Sequence, residues 1–209
     1  MICVSFSKPA VEQFLAQHPE VKMIELRLDL METDENQLRR LLSLPVDVIV
    51  TCRPNGRMTE EERLQLLCQC ISFGARYVDV EIESGSEFIS TIREFATQHN
   101  CKLIISYHNF EKTPDLSELK EIAERCHAAQ ADIVKIACMV NDEQDILNIK
   151  SLYSANYPIV VLGMGEKGTI TRIKAYEWGA PFTFVAATPD SQTAPGQVGY
   201  EMVKRFMTQ

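Results

Sequence analysis

The sequence predicts an α/β fold: a (β/α)8 TIM barrel in minimal form. Three observations lead there. Short runs rich in Val and Ile recur eight times along the 209 residues, and stretches with helical periodicity separate them. Their spacing is an even ~25 residues per unit, which suits eight strand–helix units closed into a barrel.

The runs are ICVSF from residue 2, MIELRLDL from 23, VDVIVTC from 46, YVDVEIE from 77, LIISYHNF from 103, DIVKIACM from 132, PIVVLGM from 158 and FTFVAA from 182. After the first run, the turn SKPAVEQ lacks the glycine-rich phosphate cradle that usually opens a doubly wound dinucleotide-binding sheet. In the helical stretch TEEERLQLLCQCISFGA, Thr59 and Glu62 form a capping box, Leu64, Leu67, Cys68 and Ile71 share one face, and Gly74 closes the helix. Helix returns to strand through a repeated turn chemistry in FGARYVDV, AQADIVKI and WGAPFTFV. No linker, low-complexity stretch or charge block interrupts the alternation, so residues 1–209 read as one domain, with the last helix running from about Val198 to Gln209.

Composition narrows the class of partner. The chain is 45% hydrophobic and 24% charged with a formal net charge of -8, which argues against a nucleic-acid surface, since that needs a basic stripe to displace counterions. A small anionic substrate stays compatible, because a few arginines in one pocket outweigh acidic groups beyond the screening length of about 8 to 10 Å. No apolar run approaches the roughly 20 residues that cross a bilayer, and the start, MICVSFSKPAVEQ, is not built like a signal peptide. A soluble, cytoplasmic protein is expected. Seven cysteines, Cys3, Cys52, Cys68, Cys70, Cys101, Cys126 and Cys138, sit mostly in apolar runs and read as buried thiols. The spacing of Cys68 and Cys70 is not that of a metal knuckle, so neither a metal nor a cofactor is expected.

Side chains alternate across a strand, and here the alternation separates charge from apolar surface. Ile24, Leu26 and Leu28 oppose Glu25, Arg27 and Asp29; Val78, Val80 and Ile82 oppose Asp79 and Glu81; Ser106 and His108 share a face; Lys135 lies between Val134 and Ile136; Arg53 ends the third strand. Salt-bridged layers inside a barrel explain any one such strand as readily as function does. Five together, all running toward the end of the barrel that carries the chemistry in such enzymes, indicate a site. An unpaired buried ammonium costs several kcal/mol, so Lys135 must be neutral, paired or catalytic. Arg27, Arg53 and Arg172 nearby, together with desolvation, are expected to lower its pKa from about 10.4 toward the range of a nucleophilic, imine-forming amine.

These residues resemble a known family, type I 3-dehydroquinate dehydratase of the shikimate pathway and aromatic amino acid biosynthesis. The most specific match is DVEI at 79–82 followed, after a gap of twenty, by LIISYHN at 103–109; around it stand VSF, IELRLD, TCRP, VKIA, GMGEKGTITR and TAPGQ in family order. The resemblance implies a lyase that removes water from 3-dehydroquinate by syn elimination to give 3-dehydroshikimate. By similarity Lys135 forms the Schiff base, His108 acts as general base and then acid, and Glu81 orients His108. Arg172 takes the substrate carboxylate, Glu25, Arg27 and Arg53 hold ring hydroxyls, and Ser5, Thr193 and Gln197 complete the lining.

Departures from the family pattern are local. Many relatives carry, after the TCR motif, a Glu or Gln followed by two glycines that reaches over the substrate; here the shorter NGRMTEEER leaves Arg57, Glu60 or Glu61 to replace that contact, or Thr59 simply to start a helix. Thr193 stands where relatives often have Ser. The hairpin that covers the barrel floor in many relatives has no room before Ile2. The glycines of GMGEKG suit a phosphate cradle or, as favoured here, a tight turn around a mobile lid. His18, His99 and His127 read as surface or capping groups. Some relatives are fused to shikimate dehydrogenase, so this chain could be the N-terminal half of such a fusion; a homodimer, or association with that enzyme, is equally open. Two rivals share the lysine: a class I aldolase or transaldolase, and a barrel that binds without turnover.

Overall fold

Strands and helices alternate without exception: β1 (Ile2–Phe6), α1 (Val11–Gln17), β2 (Met23–Arg27), α2 (Glu35–Leu42), β3 (Asp47–Thr51), α3 (Glu60–Ser72), β4 (Tyr77–Glu81) and α4 (Ser86–Gln98). The second half repeats the pattern with β5 (Lys102–Asn109), α5 (Leu116–Ala128), β6 (Ile133–Met139), α6 (Glu143–Ser151), β7 (Ile159–Met164), α7 (Thr169–Trp178), β8 (Thr183–Ala186) and α8 (Tyr200–Met207). The structure, a computed structural model, describes residues 1–8 and 10–207. The expected end of the last helix at Gln209 lies outside the described residues; the helix starts at Tyr200, two residues later than the sequence suggested. Among the described residues no helix is long and apolar enough to cross a membrane.

All ladders are parallel, in the order β7-β6-β5-β4-β3-β2-β1-β8. The barrel is nearly rather than fully closed, because β7 and β8 share no ladder. Side chains satisfy the edge of β7 instead. The Tyr153 hydroxyl donates to the Val161 carbonyl (2.7 Å) and accepts from the Val161 N–H (2.9 Å), while the Gly163 N–H donates to Thr171 Oγ1 (2.7 Å). Buried backbone groups must find partners, and here α7 and the turn after α6 supply them, so the seam holds without strand pairing.

Two apolar layers follow from the alternation. Ile24, Leu26, Val78, Val80, Ile105, Val134 and Ile136 face outward and pack under the helices. Cys3, Met23, Ile49, Tyr77, Ile104, Ile133 and Phe182 fill the barrel floor. Tyr77 meets Phe182 edge-on there at 6.1 Å between ring centroids. Above this plug the interior turns polar.

Helix α3 carries the expected capping box, with Thr59 Oγ1 accepting from the Glu62 N–H. Its buried face differs from the expectation. Arg63, Leu67, Cys70 and Ile71 are buried, whereas Leu64 and Cys68 are only half-buried. The cause is Arg63, whose Nε donates to the Cys52 carbonyl (3.1 Å) and whose guanidinium lies over the Phe88 ring, turning the helix toward that contact. β3 likewise stops at Thr51, so Arg53 sits two residues past the strand rather than ending it. All seven cysteines are free, and six of them are buried. His99 stacks on Phe95, His127 stacks on Tyr157, and His18 caps α1 between Glu20 and Glu201.

Candidate active site

At the C-terminal mouth of the barrel lies a cavity of about 400 Å³. The ten residues given site roles by the family resemblance all border it: Lys135, His108, Glu81, Ser5, Glu25, Arg27, Arg53, Arg172, Thr193 and Gln197. That volume suits a small polar ring compound. Arg57, Glu60 and Glu61 do not line it; of the short loop after β3, Pro54 and Asn55 do. Among the described residues no group of three or more His, Cys, Asp or Glu is placed to hold a metal ion.

Register places the central charges. Glu25 is level with Ser5 on β1, and Ser106 with Lys135 on β6. Lys135, only 6% exposed, donates from Nζ to Asp79 Oδ2 (2.7 Å) and lies 3.7 Å from Glu25 Oε1. The same nitrogen stands 3.9 Å over the face of the Phe184 ring, an arrangement that favours a cation. The charged groups in contact with Lys135 are therefore carboxylates, where the sequence had suggested the influence of arginines. Asp79 is fully enclosed and accepts from Arg53 Nη2 (3.0 Å) and Ser106 Oγ (2.6 Å) as well. Burial opposes its ionisation, but Arg53 and Lys135 hold it well below the usual carboxylate range. Glu25, also lowered against the effect of burial by Lys135 and Arg27, accepts from Ser5 Oγ (2.7 Å) and Thr51 Oγ1 (2.8 Å).

His108 is set for proton transfer. Its Nε2 lies 3.5 Å from Arg53 Nη2, and because a guanidinium can only donate, Nε2 is the acceptor and the neutral ring carries its proton on Nδ1. Nδ1 in turn lies 3.2 Å from Glu81 Oε1, whose negative charge favours the proton on that nitrogen. Burial, and next the Arg53 cation, push the imidazole pKa down to about 4 against the pull of Glu81. Phe110, 58% exposed, stacks over the ring at the rim.

Arg172 enters from α7 through the β7–β8 seam. It is 2% exposed, donates from Nη1 to the Phe184 carbonyl (3.2 Å), and leaves Nε without a partner. Burial lowers its pKa to about 10. Arg172 is thus a buried guanidinium with no carboxylate in ion-pair contact among the described residues, and it borders the cavity; such a group has the chemistry to hold a small anion.

The loop after β8 covers the mouth. Gln197 accepts through Oε1 from the Thr193 N–H (2.8 Å) and hydroxyl (3.0 Å), and donates through Nε2 to Ser5 Oγ (3.1 Å). The Gly165 N–H donates to the Pro195 carbonyl (3.2 Å). Gly196, at φ +69°, approaches so closely that a Cβ would lie 2.2 Å from the Gly165 oxygen. Of the glycines of GMGEKG, Gly165 thus serves backbone-to-backbone packing between two loops, while Gly163 and Gly168 pack against each other in a tight turn. Gly196→Ala is expected to lift the cover and raise KM several-fold with little loss of thermal stability; an unchanged KM in steady-state assays would count against the loop's covering role.

The sequence profile of the type I 3-dehydroquinase family matches residues 2–209. The chain belongs to that family. It is 34% identical to the 3-dehydroquinate dehydratase of Methanocaldococcus jannaschii, over 99% of this chain and 97% of that protein. A further relative, the chloroplastic bifunctional 3-dehydroquinate dehydratase/shikimate dehydrogenase of Arabidopsis thaliana, is 33% identical over 92% of this chain and 33% of its own length. Among solved structures, the 3-dehydroquinate dehydratase of Geobacillus kaustophilus shares the fold at a TM-score of 0.88 and 23% identity, covering 99% of this chain and 89% of that one.

As a type I 3-dehydroquinase the chain is a hydro-lyase, and its site rests on groups that the sequence did not nominate. Asp79 is the chief of them, enclosed with Ser106 and Thr51 behind the cavity wall, while Phe184 lines the cavity itself. Asp79 was visible on the inward face of YVDVEIE, but no local pattern tells that it will meet a lysine 56 residues on. Asp29 is another, bound to Arg27 at the rim.

Proposed function

We propose that this 3-dehydroquinate dehydratase works through an imine on Lys135, with His108 as base and then acid. The supporting observation is a buried amine and a neutral imidazole on neighbouring strands of one cavity, in contact through the same Arg53–Asp79 network. Lys135 Nζ gives up one proton to act as the neutral amine and adds to the substrate's ring ketone; that proton and one of the two left on nitrogen pass to the ketone oxygen, which leaves as water to give an iminium. That cation acidifies the neighbouring carbon. His108 Nε2 takes its proton, the electron pair moves to nitrogen as an enamine, and the enamine then expels the hydroxyl, which leaves as water with the proton held by His108. Water hydrolyses the conjugated imine, releasing 3-dehydroshikimate and the free amine, so one water is lost overall. A single base serves both proton transfers when proton and hydroxyl leave from one face.

Other residues take supporting roles in this reading. Arg172 binds the substrate carboxylate; Glu25, Arg27 and Arg53 hold ring hydroxyls; Ser5, Thr193 and Gln197 close the polar lining. Glu81 keeps the His108 proton on Nδ1. Phe184 and Asp79 favour the positively charged nitrogen. Residues 1–209 act as one catalytic unit in the cytoplasm, a setting that suits seven free thiols, and a shikimate dehydrogenase, the second activity of the plant relative, is the partner that takes the product.

Conjugated-enone absorbance on adding 3-dehydroquinate tests the reaction; a folded protein that binds the substrate without that rise would contradict it. The pH profile tests the base. His108 must be neutral to accept a proton, so kcat/KM should hold from neutral pH downward and fall only as pH drops through about 4. An acid limb at the ordinary imidazole value, about 6.5, would contradict the role given to burial.

A further inference from the structure

We infer that Asp29 is a positioning residue for the cover of this site, acting through Arg27. This deepens the reading above and rests on it for the substrate. Asp29 lies two residues past Arg27, beyond the end of β2, and is 5% exposed. Its carboxylate grips Arg27 as a fork: Nε donates to Oδ1 (3.0 Å) and Nη2 to Oδ2 (2.7 Å). A guanidinium is planar, so fixing two of its nitrogens fixes where the third points. The third, Nη1, donates to the backbone carbonyl of Thr193 (2.9 Å), in the loop that covers the mouth.

The cover is held at three places. Gln197 ties it to Ser5, the Pro195 carbonyl ties it to Gly165, and Arg27 ties it to β2. Among the described residues only the Arg27 tie runs through a charged pair at the rim, with the Arg27 side chain 15% exposed and that of Asp29 3%. Asp29 also fastens the opposite edge of the mouth. Its backbone carbonyl accepts from Asn55 Nδ2 (2.8 Å), and Asn55 Oδ1 accepts from the Arg57 N–H (3.0 Å), which stiffens the short loop after β3. Residue 29 therefore touches two of the loops that border the entrance, the cover through its carboxylate and Arg27 and the loop after β3 through its main chain.

Without the carboxylate, the Arg27 fork can rotate and a charge-assisted hydrogen bond to the cover is lost, while Lys135, His108 and Asp79 keep their own partners. Binding should suffer and chemistry should not. The test is Asp29→Asn, which keeps the shape and removes the charge, compared with Arg27→Ala and the double variant. The expected result is a KM raised about tenfold or more with kcat within about threefold, faster amide hydrogen exchange at residues 188–197 without substrate, and a double variant no worse than Arg27→Ala alone. An unchanged KM with unchanged exchange, a fall in kcat alone, or additive effects in the double variant would overturn the inference. Hydrogen exchange needs no turnover, so an inactive wild-type protein would defeat the reading of the reaction while leaving the role of Asp29 still under test.

Discussion

Lys135→Ala should abolish borohydride trapping of substrate and lower turnover by about 10⁴-fold or more, the scale seen when a covalent nucleophile is removed. The barrel should survive the change. Asp79 keeps Arg53 and Ser106 as partners, and Glu25 keeps Ser5 and Thr51, so no carboxylate is left bare. Lys135→Met, which restores most of the lost volume, guards against a packing failure. Circular dichroism showing native structure with full loss of activity is the expected pair of results. Substantial turnover in either folded variant would remove the imine from the mechanism.

His108→Ala should separate the two halves of the chemistry. Condensation needs the amine and the elimination needs the imidazole, so trapping on Lys135 should persist while dehydration slows by about 10²- to 10⁴-fold, the usual contribution of a placed acid–base group. Near-normal turnover would sink the role given to His108. Loss of trapping with the fold intact would mean that His108 acts earlier, in forming the imine. Glu81 should show a weaker version of the same effect, because it lies 3.2 Å from Nδ1 and touches the ring's orientation rather than the reacting carbon.

Much of the site could be read from alternation within strands. Glu25, Glu81, His108 and Lys135 fall on the inward face because Ile24, Val80 and Ile136 must pack under helices, and a parallel barrel leaves the other face no destination but the mouth. What sequence could not supply was pairing across strands. Asp79 and Lys135 meet at 2.7 Å only because β4, β5 and β6 stack in register, so a lysine that looked surrounded by arginines is clasped by carboxylates. The open β7–β8 seam was equally hidden. It depends on Tyr153 and Thr171 satisfying backbone groups from outside the sheet, and neither residue announces that task locally. At α3, periodicity alone could not tell Cys70 from Cys68, since a buried arginine decided the helix's rotation.

The most direct measurement is mass spectrometry after borohydride reduction in the presence of 3-dehydroquinate, with the modified peptide sequenced. The account requires a substrate-sized mass increase on the peptide carrying Lys135, absent without substrate and absent in Lys135→Ala. A stable adduct on any other lysine, or rapid turnover with no adduct at all, would contradict it.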